Sequence, residues 1–130
     1  MVSASNKSLT DIIRDFILAY NSFDIEAMLL HLHPAVKFKN ISGGKTDIET
    51  NGKEEFEKLA RRSASLFNIR QQKIISLKES GNKIIVEIEF SGLLAAEISP
   101  YLKAGDTFVI KGKSEYTFQD NLIVSITDES

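Results

Sequence analysis

With 130 residues, 42% of them apolar and 26% charged, the chain has the size and composition of one globular domain. It has no cysteine, which removes disulfide scaffolds, zinc–thiolate sites and thiol catalysis. A net charge of −2 supplies no field to hold nucleic acid or an acidic membrane surface.

Residues 1–8 read as a flexible, serine-rich tail, and 9–130 as a single domain. Leu9, Ile12, Ile13, Phe16, Ile17 and Tyr20 repeat at helical spacing, and Ser8 with Asp11 offers the cap. Asn21-Ser22 breaks this helix, and Asp24 caps a shorter one with Ile25, Met28, Leu29 and Leu32 on its apolar side. After Pro34, residues 36–41 alternate as a strand: Val36, Phe38 and Asn40 share one face, Lys37, Lys39 and Ile41 the other. Ser42-Gly43-Gly44-Lys45 turns the chain into a short strand over 46–50. Asn51 and Glu54 form a cap pair for a third helix, which buries Phe56, Leu59, Ala60, Ser63 and Phe67.

The rest is β. Segment 69–79 alternates loosely and ends at the Gly81-Asn82 turn. In 84–90, Ile84, Val86, Ile88 and Phe90 share a face; in 108–118, Phe108, Ile110, Ser114, Tyr116 and Phe118 do. Charge and apolar pattern agree on one antiparallel register, with Glu87 facing Lys113, Glu89 facing Lys111, Phe90 beside Ile110 and Ile84 beside Tyr116. Asp120-Asn121 makes a tight turn into a last strand, 122–127. Helices in the first half and a meander in the second mean α+β: a cone-shaped, strongly curved, mostly antiparallel sheet wrapped around three helices.

Four segments resemble one known superfamily: Ala19-Tyr20-Asn21, the stretch from Leu32 through His33-Pro34 to Phe38, Asn51-Gly52, and Gly112 to Phe118. The chain resembles the nuclear transport factor 2-like fold, which includes ketosteroid isomerases and SnoaL-like polyketide cyclases. The resemblance implies a pocket between the concave sheet face and the helices, and a homodimer. Its isomerases use an aspartate base on the first strand, a tyrosine on the first helix and a protonated aspartate on the penultimate strand. At the matching positions this sequence has Asn40, Phe16 and Ser114. An amide is no general base and phenylalanine donates no hydrogen bond, so the steroid-isomerase mechanism is not expected.

The candidate ligand-binding residues are Phe16, Tyr20, Phe38, Asn40, Ser114 and Tyr116, with His33 and Tyr116 as catalytic candidates. No metal and no cofactor is expected. His31 and His33 stand two residues apart, which does not place them on one helix face. Gly43-Gly44-Lys45 lacks the glycine spacing of a phosphate loop, and Arg61-Arg62 belongs to a solvated helix face. Arg70 and the 97–101 segment are further candidates for the pocket mouth.

With no titrating acid in the predicted pocket, the expected function is binding of a small hydrophobic or amphipathic molecule. The alternatives are an isomerase, dehydratase or cyclase, and a pure interaction domain. The expected partner is a second copy of the chain on the outer sheet face, where Leu122, Val124 and Ile126 point outward if no bulge intervenes. Neither nucleic acid nor membrane is expected as a partner, and the expected location is the cytoplasm.

Overall fold

The computed structural model describes residues 8–130. Apart from Ser8, the expected tail therefore lies outside the described residues. The elements run α1 (Leu9–Asn21), α2 (Ile25–Leu30), β1 (Leu32–Ser42), β2 (Lys45–Asn51), α3 (Lys53–Ala64), β3 (Phe67–Ser80), β4 (Lys83–Leu94), β5 (Thr107–Gln119) and β6 (Leu122–Glu129). The strands form one open sheet in the order β2-β1-β6-β5-β4-β3. All neighbours are antiparallel except β1 and β6, so the last strand inserts between β1 and β5. This is the α+β cone expected, its helices lying against the concave face.

The caps of the first two helices form at the residues the sequence marks. Ser8 Oγ accepts the Asp11 N–H at 3.1 Å, and Asp24 Oδ1 accepts the Ala27 N–H at 3.1 Å. The third helix differs. Gly52, at φ 90°, is its N-cap, and the Glu55 carboxylate reaches back to the Asn51 N–H at 2.8 Å. A backbone in the left-handed region favours glycine, so Gly52 takes the place assigned to Asn51 and Glu55 the role assigned to Glu54. Phe67 likewise leaves the helix to open β3, where its ring packs against Phe90 at 5.8 Å and Phe108 at 5.9 Å between centroids.

The β4–β5 register is the one that charge and apolar pattern select, from Ile84 opposite Tyr116 to Phe90 opposite Ile110. The facing charges find other partners. Lys113 Nζ lies 3.7 Å from Glu129, and Glu87 accepts a hydrogen bond from Ser76 Oγ at 2.9 Å. The loose alternation of 69–79 has a cause in β3, whose pairing with β4 shifts between Phe67 and Ile69 and again between Ile74 and Ser76. The second bulge pushes Ile75 outward, so Ile74 and Leu77 both pack on the core although they stand three positions apart.

A third shift, between Thr117 and Phe118, pairs Phe118 with Ile123 but Thr117 with Ser125. Val124 is the extra residue, and every side chain after it changes face. Ile123 and Ile126 are therefore both buried, which corrects the expectation that Ile126 points outward. The core joins Ile13, Leu32, Val36, Ile84, Val86 and Ile123, all at 1% exposure or less. Each such side chain contributes about 1.5–3 kcal/mol by leaving water. Among the described residues no helix is long and apolar enough to cross a membrane.

Candidate functional site

The concave sheet face and the helices enclose a cavity of about 380 Å³. That lies within the range of small-molecule sites, about 300–1,000 Å³. Its wall is mainly apolar: Phe16 from α1, Phe38 from β1, Phe56 from α3, Ile88 and Phe90 from β4. Phe56 packs edge-on to Phe38 at 5.7 Å between centroids, and Phe16 edge-on to Tyr116 at 6.1 Å. The cavity brings together Phe16, Tyr20, Phe38, Asn40, Ser114 and Tyr116. His33 is not among its lining residues; it is the second residue of β1, where its Nδ1 accepts the Ala35 N–H at 3.0 Å. The 97–101 segment is also absent from the wall, whereas Arg70 is part of it.

The polar centre contains a residue that sequence reasoning missed. Asp128, near the end of β6, lines the cavity and stands between Asn40 on β1 and Ser114 on β5. It faces inward because of the bulge at Val124, which is also what the strand pattern concealed. Ser114 Oγ, buried, donates to Asp128 Oδ1 at 2.7 Å. Burial of the carboxyl outweighs that bond and pushes Asp128 up to about 6. The expectation of a pocket without a titrating acid is thereby corrected.

Burial acts on the tyrosines in the same sense. Burial pushes Tyr20 up to about 12, against the pull of the Arg70 charge. Tyr116 is raised further, by burial first and then by Asp128. Both hydroxyls stay protonated near neutral pH and can donate a hydrogen bond. Asn40 sits at the rim, its Nδ2 donating to Asp47 Oδ1 at 2.9 Å and to Ser42 Oγ at 3.2 Å. The bond from Asn40 first, and then one with Ser42, hold the exposed Asp47 carboxyl below its ordinary range.

Arg70 is held by the end of α1. Its Nε donates to the Tyr20 carbonyl at 2.8 Å, and its guanidinium carbon lies 3.7 Å from the Tyr20 ring centroid and 4.5 Å from that of Phe23. Two residues on, the Asn21 amide clamps Gln72, accepting its N–H at 2.8 Å and donating to its carbonyl at 3.2 Å. The helix end thus satisfies an edge strand that has no further partner in the sheet. It also fixes where Arg70 enters the cavity wall. Among the described residues no cluster of three or more His, Asp or Glu side chains could hold a metal ion.

The family pattern of the SnoaL-like domain matches residues 13–126. No curated protein matches the chain at the level of sequence. Among solved structures, a candidate polyketide cyclase from Xanthomonas campestris pv. campestris is similar at 19% identity and a TM-score of 0.81, over 98% of this chain and 93% of that one. A candidate polyketide cyclase from Pseudomonas putida is 18% identical with a TM-score of 0.75, over 95% and 91%. TerC, crystallised with polyporic acid, is 17% identical with a TM-score of 0.73, over 92% and 88%. At these identities the likeness shows the shared fold.

Proposed function

The chain belongs to the SnoaL-like domain family, and from that premise we propose that it binds a small, mainly apolar carbonyl compound and moves a proton on it through Asp128. The observation that carries this is an inward-facing carboxyl in an aromatic cavity, bonded by Ser114 and pushed up to about 6, where a general base is half ionised just below neutral pH. Candidate polyketide cyclases among the similar structures support the same class of chemistry.

In the proposed step an Asp128 carboxylate oxygen takes a proton from the carbon beside the carbonyl. The electron pair of that C–H bond moves onto the carbonyl oxygen, which accepts a hydrogen bond from Tyr20 or Tyr116. The enolate then either takes the proton back at another carbon, an isomerisation, or attacks a second carbonyl of the same molecule and closes a ring. In both, protonated Asp128 returns its proton and is ready for another turn.

The test is exchange of the α-protons of 2-tetralone into D₂O, followed by NMR. The wild-type chain accelerates exchange, and Asp128→Asn loses about 10²–10⁴-fold of that acceleration. Equal rates for the two proteins would leave a binding domain without chemistry.

We propose also that two copies pair through the outer sheet face, at a place different from the one the sequence suggests. Ile69, 62% exposed, lies opposite Leu93, and Val109, 64% exposed, lies opposite Ser91, so β3, β4 and β5 carry an apolar patch beside the Glu87, Glu89, Lys111 and Lys113 rows. Val109→Lys puts like charges near the two-fold axis, and sedimentation velocity then shows monomer where the wild type shows dimer. A monomeric wild type at 100 µM, roughly the upper end of a weak dimer's Kd, removes this interface.

A further inference from the structure

Arg70 is 3% exposed, lines the cavity, and leaves its Nη2 without a hydrogen-bond partner. A buried guanidinium N–H with nothing to bond is costly, and native proteins rarely keep one without a use. Its other contacts are with uncharged groups: Nε donates to the Tyr20 carbonyl, the Tyr20 side chain interacts with the guanidinium, and the Tyr20 and Phe23 rings lie against it. No carboxylate among the described residues is ion-paired with it. Asp128, the acid of the same cavity, bonds Ser114 instead. The remaining cation of the wall, Lys113, lies at the rim and is 3.7 Å from Glu129. The cavity wall therefore holds one positive charge without an ion-pair partner, held by the Tyr20 carbonyl and by the Tyr20 and Phe23 rings.

We infer that the ligand carries an anionic oxygen, a carboxylate, which seats against the part of the Arg70 guanidinium that lines the cavity while the apolar wall takes its carbon skeleton. This rests on the cavity being the ligand site and adds the class of ligand. A guanidinium stays charged across the working pH range, and a charge-assisted bond inside an aromatic wall is stronger than one in water. An anion at Arg70 orients the rest of the ligand toward Asp128, Ser114 and Tyr116.

The probes are 2-naphthoate and 2-naphthamide, equal in size and shape and different in charge, measured by calorimetry at pH 7.5. The wild-type chain is expected to bind the carboxylate at least about tenfold more tightly than the amide. Arg70→Gln removes that preference and Lys113→Met retains it. Amide and carboxylate binding equally would overturn the anion site and leave the proton-transfer proposal standing; neither binding would overturn both. If Arg70→Gln does not fold, the Nε–Hε resonance of Arg70 in the wild type decides. A shift with naphthoate and none with naphthamide supports the site, and no shift with either rejects it.

Discussion

Asp128→Asn separates the effect of a buried carboxyl on stability from its effect on chemistry. A carboxyl that titrates near 6 rather than near 3.8 holds its proton more tightly in the folded state than in the unfolded one. At about 1.4 kcal/mol per pH unit the full cost of ionising it inside the fold is about 3 kcal/mol. Asp128 is half-buried, so solvent screens part of this and about 1–2 kcal/mol remains.

The sign follows from proton counting. Between pH ~4 and ~6 the folded state binds more protons than the unfolded state, so wild-type stability falls as pH rises through that window and is level above it. Asparagine keeps an oxygen for the Ser114 hydroxyl and never ionises. The variant is therefore about as stable as the wild type at pH 4, and about 1–2 kcal/mol more stable at pH 8. Urea unfolding at both pH values measures the difference, and a ¹³C titration of the Asp128 carboxyl gives the midpoint directly. A midpoint near 4, or a variant no more stable than wild type at pH 8, refutes the argument that burial governs this group.

Two further substitutions probe the supports of the site. Ser114→Ala removes the bond that holds the Asp128 value down, so the ¹³C midpoint moves above about 6 and the acid limb of the exchange rate follows it upward; an unmoved midpoint rejects the coupling. Gly92→Ala places a Cβ 3.0 Å from the Phe108 ring and 3.1 Å from the Ile69 carbonyl. The Phe67–Phe90–Phe108 cluster beside the cavity must then shift, at a cost of about 1–3 kcal/mol in urea unfolding.

Much of the fold was legible because two independent patterns coincided. Along β4 and β5 the alternation of apolar residues and the facing of Glu with Lys select the same register, and any slip by one residue would break both. The six aromatic, amide and hydroxyl residues of the cavity wall follow from that register and from the α1 stripe. What stayed hidden lies after bulges or in long-range contacts. No local pattern reveals that Val124 is an extra residue, since Leu122-Ile123-Val124 is apolar throughout and tolerates either phase. With the wrong phase, Ile126 points out and Asp128 with it. Arg70 was hidden for another reason: its place depends on the end of α1, 50 positions earlier in the chain. A charged residue in a strand gives no sign of facing inward until its partner is known.

The sheet brings these hidden and visible residues into one row, Asn40–Asp128–Ser114 across β1, β6 and β5. The outer two are the positions where the resembling isomerases carry their aspartates. Here the acid stands on the strand between them, within hydrogen-bond reach of one neighbour. The row therefore predicts that the acid and the hydroxyl are exchangeable. Ser114→Asp with Asp128→Ser keeps one carboxyl and one hydroxyl in the same pair, with the bond reversed. The carboxyl remains in the cavity wall, because both positions line it. Asp128→Ser alone has no base and loses about 10²–10⁴-fold in exchange rate. The double variant recovers at least about tenfold, less than the full rate because the base moves by one strand spacing, about 4.8 Å. At position 40 the same relocation fails. An aspartate there loses the bond that Asn40 donates to Asp47 and sets two carboxylates side by side. Recovery at 114 and none at 40 is the expected pair of results. A folded double variant at 114 as slow as Asp128→Ser alone would mean that proton transfer needs more than a carboxyl on this row.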